Sequence, residues 1–213
     1  MLPGLYNPSG VGAFSVAYVS NTTYNTYNGT LTMPTLEVGD VILAIAYAWR
    51  NGPFIPSPAY GTGFTAMQTN GVQYAIGLGD YGARMCTSYR VAQSGDSGST
   101  IGGFINDDTE SATIAVYRPS AAITTVTPLD LSTSISGDPP ASTITASGSS
   151  LWTISWAAVR GSTLSFTPTE DFEALTGGLR VKAIVQGPTA SNVTANAGSG
   201  TGIVYADGYM EVS

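Results

Sequence analysis

The run Val41-Ile42-Leu43-Ala44-Ile45-Ala46-Tyr47-Ala48-Trp49 is apolar throughout, with Gly39-Asp40 before it and Arg50-Asn51-Gly52-Pro53 after it. Val41, Leu43, Ile45, Tyr47 and Trp49 are large, while Ala44, Ala46 and Ala48 are small. A period of two puts the large set on one face of a strand and the small set on the other. A helix would mix the two sets on every face. The pattern predicts a central strand buried on both sides, with a dense core on one face and a close neighbour on the other.

The remaining chain reads as strands and turns. Residues 13–19 form a packed strand, and the polar run 21–28, carrying Tyr24 and Tyr27, reads as an exposed loop. Residues 30–33 make a short strand that Pro34 ends by lacking a ladder donor. Pro53, Pro56 and Pro58 forbid regular structure between residues 51 and 62, and long loops on rigid β scaffolds often hold function. Pairing resumes at 63–67. Val72, Tyr74, Ile76 and Leu78 then alternate along a further strand. Between residues 83 and 91, Met85, Thr87, Tyr89 and Val91 are predicted to face inward, and Arg84, Cys86, Ser88 and Arg90 to face away. Residues 93–100 read as a Gly/Ser turn, and 112–118 as a strand stopped by Pro119. Helical periodicity is missing throughout; residues 170–175 allow one helical turn at most.

The pattern then begins again. Residues 151–161 resemble the central run and its Arg50-Asn51-Gly52 ending. Gly63-Phe64-Thr65-Ala66-Met67 is answered by Asp171-Phe172-Glu173-Ala174-Leu175, and Ala83-Arg84-Met85 by Leu179-Arg180-Val181. Residues 112–118 are answered by 202–209. Duplication produces such a likeness, and so do similar strand demands on unrelated segments. The expected fold is all-β: a jelly-roll-like β-sandwich of about ten or more short strands, from two duplicated halves on the first of those explanations. Residues 1–12 form an N-terminal arm. Residues 13–213 form one sandwich domain, with the repeat spanning 13–119 and 142–213.

Composition narrows the function. Charged residues make up 10% of the 213, against a usual ~25%, so the surface must be largely Ser, Thr, Asn, Gly and Tyr. The net charge of −7, with Lys182 the one lysine, argues against nucleic acid or an anionic membrane as partner. One cysteine, Cys86, allows no internal disulfide. The first residues show neither a charged nor an apolar leader segment, and no run is long and apolar enough to span a membrane, so neither is expected.

Candidate chemistry is thin. The chain has no histidine, which removes the commonest general base and metal ligand. Gly95-Asp96-Ser97-Gly98-Ser99 looks like the nucleophile segment of chymotrypsin-type proteases, but such a serine needs an imidazole, and the segment reads as a hairpin turn. Asp107, Asp108 and Glu110, with Asp138 and Asp207 in other turns, read as solvated acids. Glu170, Asp171 and Glu173 offer a carboxylate pair of the kind any acidic β protein holds by chance. Cys86 reads as an inert packed thiol. No cofactor and no metal are expected. Tyr24, Tyr27, Phe54 and Tyr60 fall in loops, where aromatics stack on sugars or anchor protein contacts, or simply cap the ends of a sandwich.

Gly39-Asp40-Val41, Gly63-Phe64-Thr65, Tyr89-Arg90-Val91-Ala92, Ile114-Ala115-Val116-Tyr117-Arg118 and the Trp-bearing run 151–159 together resemble a β-sandwich module of tailed-phage structural proteins and some bacterial surface proteins. The likeness runs from Phe14 to Tyr209 and consists of packing residues, with no catalytic signature. It departs from the module at residues 53–60, which lack a tryptophan. The resemblance implies a virion location and a non-enzymatic role: a capsid decoration (cement) or head-fibre protein binding the particle surface. Its partners would be phage capsid or other virion proteins, and it would form a symmetric homo-oligomer, a trimer being favoured. Met1, Leu2, Leu5 and Tyr6 of the arm would lie along a partner and extend a sheet edge. The alternative is a tail-associated receptor-binding or carbohydrate-binding module that works through the four loop aromatics.

Overall fold

The computed structural model describes residues 13–25, 31–51, 61–76, 79–102, 109–136, 142–146, 149–198 and 203–213. Its centre is the apolar run, here β3 (Val41–Asn51). It pairs antiparallel on both sides, with β5 (Gly79–Val91) and with β7 (Thr109–Pro119). Two interior ladders leave its backbone satisfied, which is why the eight apolar side chains of Val41 to Ala48 can be buried without stranding polar groups. The expected division of its faces holds. Val41, Leu43, Ile45 and Tyr47 enter one core, while Ala44, Ala46 and Ala48 enter another, together with Ile42.

Five strands make the first sheet. Beyond β5 lies β4 (Thr65–Ile76), and beyond β7 lies β1 (Val16–Tyr24), giving the order β1-β7-β3-β5-β4. A second five-stranded sheet is built around β10 (Trp152–Arg160). Its neighbours are β13 (Leu179–Gln186) and β15 (Ile203–Val212), with β12 (Phe172–Thr176) and β8 (Val126–Ser136) outside them. Two small sheets complete the fold: β2 (Leu31–Thr32) with β6 (Thr100–Ile101), and β11 (Leu164–Thr167)-β14 (Val193–Ala197)-β9 (Ser142–Ile144).

The layers follow from which side chains meet. The large residues of β3 pack against Ile154, Trp156 and Ala158 of β10, so the five-stranded sheets lie face to face. Within that core Tyr18 stacks on Phe172, with ring centroids 5.7 Å apart, and meets Tyr117 edge-on at 5.9 Å. The β2–β6 pair covers the far side of the first sheet, burying Leu31 and Ile101 against Ile42 and Ile114. The β9-β11-β14 sheet covers the far side of the second, burying Ile144, Phe166 and Val193 against Ala157 and Tyr205. All four layers are β, as expected of an all-β sandwich, and among the described residues there is no helix.

The two large sheets share one strand order. Read from its β4 edge, the first runs β4-β5-β3-β7-β1, and the second runs β12-β13-β10-β15-β8. Each strand of the first takes the place, in chain order, of its counterpart in the second. The small pair β2–β6 has its counterpart in β9–β14, and β11 is the additional strand.

Four expectations change. The polar run after Asn21 is strand as far as Tyr24, because β7 supplies a ladder along its length. Residues 63–67 and 72–76 do not form separate strands: β4 is continuous through Ile76 and absorbs the break as a bulge between Ala66 and Gln68, while residues 77 and 78 lie outside the described residues. Residues 172–176 are strand, with Phe172 and Ala174 buried and Glu173 and Leu175 exposed, a period of two that a helical turn would violate. The β5 face carrying Cys86 and Ser88 does not point away: β2 and β6 lie over it, and both side chains are buried.

Candidate functional site

Asp40 ends the turn into β3, and Arg118 lies near the end of β7 beside it. Arg118 Nε donates to Asp40 Oδ1 at 2.8 Å and Nη2 donates to Oδ2 at 2.9 Å, a two-pronged ion pair. Asp40 Oδ2 also accepts the Glu37 N–H at 2.8 Å, and Glu37 Oε1 lies 2.7 Å from Arg118 Nη1. The hydrogen bond to Asp40 leads in holding the guanidinium pKa above its ordinary value. A second clamp joins Arg90 of β5 to Asp96 at 2.6 Å, while Arg90 Nη1 donates to the Thr62 carbonyl at 3.0 Å. Asp96 Oδ2 accepts the Gln93 N–H at 2.7 Å. Ser97 Oγ accepts the Leu36 N–H at 3.0 Å, and Ser99 Oγ donates to the Asp96 carbonyl at 2.7 Å. The protease-like segment is therefore a turn tied down by its own side chains.

Asp107, Asp108 and Asp138 lie outside the described residues, while the acids around β12 are engaged. Glu170 and Glu173 both meet Lys182, and Glu173 accepts from Arg180 at 2.7 Å. Asp171 Oδ2 accepts the Val185 N–H at 2.8 Å. These carboxylates tie β12 to β13 rather than converge on a cleft. Asp207 is not in a turn: it lies within β15, is 1% exposed, and accepts from Tyr205 Oη at 2.6 Å. Burial, then the Asp207 charge, pushes the Tyr205 phenol well above its ordinary pKa. Burial likewise raises Tyr117, and raises Tyr47 against the opposing pull of Arg160, whose guanidinium sits 5.4 Å from the Tyr47 ring centre. Such phenols stay neutral and act as packing. Cys86 is buried and forms no disulfide. Among the described residues no three His, Cys, Asp or Glu side chains come together as a metal site would require.

Of the predicted site residues, Met1, Leu2, Leu5, Tyr6, Tyr27, Phe54 and Tyr60 lie outside the described residues. Tyr24 is the last residue of β1, opposite Ala112. The strand ends flanking the loop aromatics can still be placed. Asn25 lies near the hairpin Gly177-Gly178, and β3 ends at Asn51 on the same end of the molecule, where Arg160 closes β10. Gly61, which follows Tyr60, lies by contrast at the other end, beside Arg90.

That other end also carries an apolar cleft of about 530 Å³, which sequence reasoning did not find. Phe14, Leu151, Trp152, Pro188 and Val212 line it, and Trp152 Nε1 donates to the Phe14 carbonyl at 2.8 Å. Its lining comes from four separate stretches of chain, so no local pattern could have revealed it. Its described lining is largely apolar, with Ser150, Ser213 and the Trp152 indole as polar side chains, which suits it to hold an apolar group. Comparison with protein-family models, with curated proteins and with solved structures found no match to this chain.

Proposed function

We propose that this chain is a non-enzymatic bacteriophage virion structural protein, a capsid decoration (cement) or head-fibre protein that binds the particle surface. The observation that carries the reading concerns the motif residues that suggested it. Asp40 and Arg118 are joined to each other, and Arg90 is joined to Asp96, so the charged members of the motif serve as clamps on turns and strand ends. A building block needs such stiffness; a catalyst would keep charged groups free in a cleft. Two facing sheets with a common core, each backed by a further layer, supply a rigid body suited to bridging neighbours on a shell.

The jelly-roll form of the sandwich belongs to the same proposal. In each half the first strand pairs with the last and the second with the one before the last: β1 with β7 and β2 with β6, then β8 with β15 and β9 with β14. This nested pairing is what rolling up one long antiparallel hairpin produces.

The test is direct. Purified protein is added to capsids stripped of decoration, and bound protein is measured against concentration. Saturating, stoichiometric binding is the expected result. Binding to host cells or to a glycan array, with capsids ignored, overturns the reading in favour of a receptor-binding module.

A further inference from the structure

We infer that the outer edge of β4 is a self-association surface, on which a second copy of this chain pairs its own β4 antiparallel to form a two-fold dimer. The inference takes up the symmetric homo-oligomer that the sequence resemblance implies, gives it a location, and makes it a two-fold dimer where the resemblance favours a trimer.

Four strands stand at the edges of the two five-stranded sheets, β1, β4, β8 and β12, and the edge strands of the two smaller sheets are at most four residues long. An edge exposes unpaired N–H and C=O groups, and proteins that stay apart blunt it with charge, proline, bulges or shortness. Three of the four are blunted. β12 is five residues long and carries Glu173 within an ion-pair ladder. β8 carries Pro128 and Asp130, and its register breaks opposite Gly208. β1 is interrupted by a bulge at Val19, so its longest run in unbroken register is the five residues Ser20 to Tyr24.

β4 is different. Its sequence, TAMQTNGVQYAI, has no charge and no proline over 12 residues. Its one irregularity falls between Ala66 and Gln68, after which nine residues, Gln68 to Ile76, pair with β5 in unbroken register. On a strand of that length, about half of the backbone groups point outward. Gly71 sits inside this run, a residue type that marks close approach by another backbone. An uncharged strand meets no repulsion from its own copy, and antiparallel self-pairing is what a two-fold axis generates. Charged partners gain nothing here, because β4 offers no countercharge. The observations therefore favour a second copy over an unrelated acidic or basic protein.

Sedimentation of the full chain tests this, with a species near twice the 21.9 kDa chain mass expected at micromolar concentration. Proline is then placed singly at Val72 and at Gln73. Adjacent residues send their N–H groups to opposite sides of a strand, so one variant removes only an outward donor. That variant should melt as the parent does, yet dimerise at least about tenfold more weakly. Hydrogen exchange on the unaltered protein covers the case in which both variants unfold: amides in Gln68 to Ile76 should slow as concentration rises. A monomer at all concentrations, a three-chain mass, or a dimer that leaves exchange in this segment unchanged overturns the proposal. Capsid binding is measured separately, so either reading can fail while the other stands.

Discussion

Arg118 grips Asp40 across 78 positions of sequence, with two parallel hydrogen bonds of 2.8 and 2.9 Å that fasten the end of β7 to the turn entering β3. The two partners differ in their access to water. Asp40 is 1% exposed, whereas the Arg118 side chain is 33% exposed. Losing the arginine strands a buried carboxylate. Losing the aspartate leaves a guanidinium that can still reach solvent and Glu37.

Arg118→Met should therefore destabilise the fold by about 3 kcal/mol, as expected for a buried charge stripped of its partner. Asp40→Asn should cost about 1–2 kcal/mol. The double variant should be more stable than the sum of the two losses predicts. Urea unfolding of the four proteins makes this a double-mutant cycle, and strict additivity would show that the pair does not act as a unit.

Gly208 sets up a second asymmetry. A Cβ placed there would lie 2.6 Å from Leu131 Cδ2 and 3.1 Å from Trp156 Cζ2, inside a packed core. Gly98, with φ of +69°, has nothing within 4 Å of the same position. Gly98→Ala should cost about 1–2 kcal/mol through backbone strain alone. Gly208→Val should cost more, about 3 kcal/mol, by forcing the Trp156 ring aside. Thermal melts and near-ultraviolet circular dichroism read both effects, and only the second variant should disturb the tryptophan signal.

Trp156 is fully buried, and its Nε1 has no hydrogen-bond partner among the described residues. Trp156→Phe removes that donor along with some volume, so its loss should stay below about 2 kcal/mol. Trp156→Ala leaves a cavity between the sheets and should cost about 3–5 kcal/mol. Equal losses in denaturant unfolding would mean that the indole N–H is satisfied.

Glu170 gives a pH signature. Burial opposes its charge, but the hydrogen bond from Lys182, a backbone N–H hydrogen bond and the lysine's charge together outweigh this and lower its pKa below the usual 4.5. A carboxyl lowered in the folded state adds stability that is complete above the unfolded value and disappears as pH falls through the folded one. The difference in stability between the parent and Glu170→Gln should therefore be constant above pH 5 and shrink below about 4.5. It should not exceed about 1 kcal/mol, because the pair is partly solvated. A difference independent of pH would remove Lys182 from the account.

Much of the architecture was legible in the chain itself. β3 and β10 announce themselves because burial on both faces imposes an apolar run, and the alternation of large and small residues in β3 reports which face meets the thicker core. That signal is local: side-chain direction along a strand is set by the backbone alone. What the chain could not announce was decided by pairing. Tyr24 looked like loop because its surroundings are polar, yet a ladder from β7 extends the strand. The strands β8, β9, β11 and β14 carry Ser and Thr and draw their order from neighbours distant in sequence. The Cys86 face of β5 looked outward until β2 and β6 were placed over it. Above all, Asp40 and Arg118 each flank an apolar run, 78 positions apart. That they satisfy one another is a fact of three dimensions, because only the folded sheet brings the two ends together.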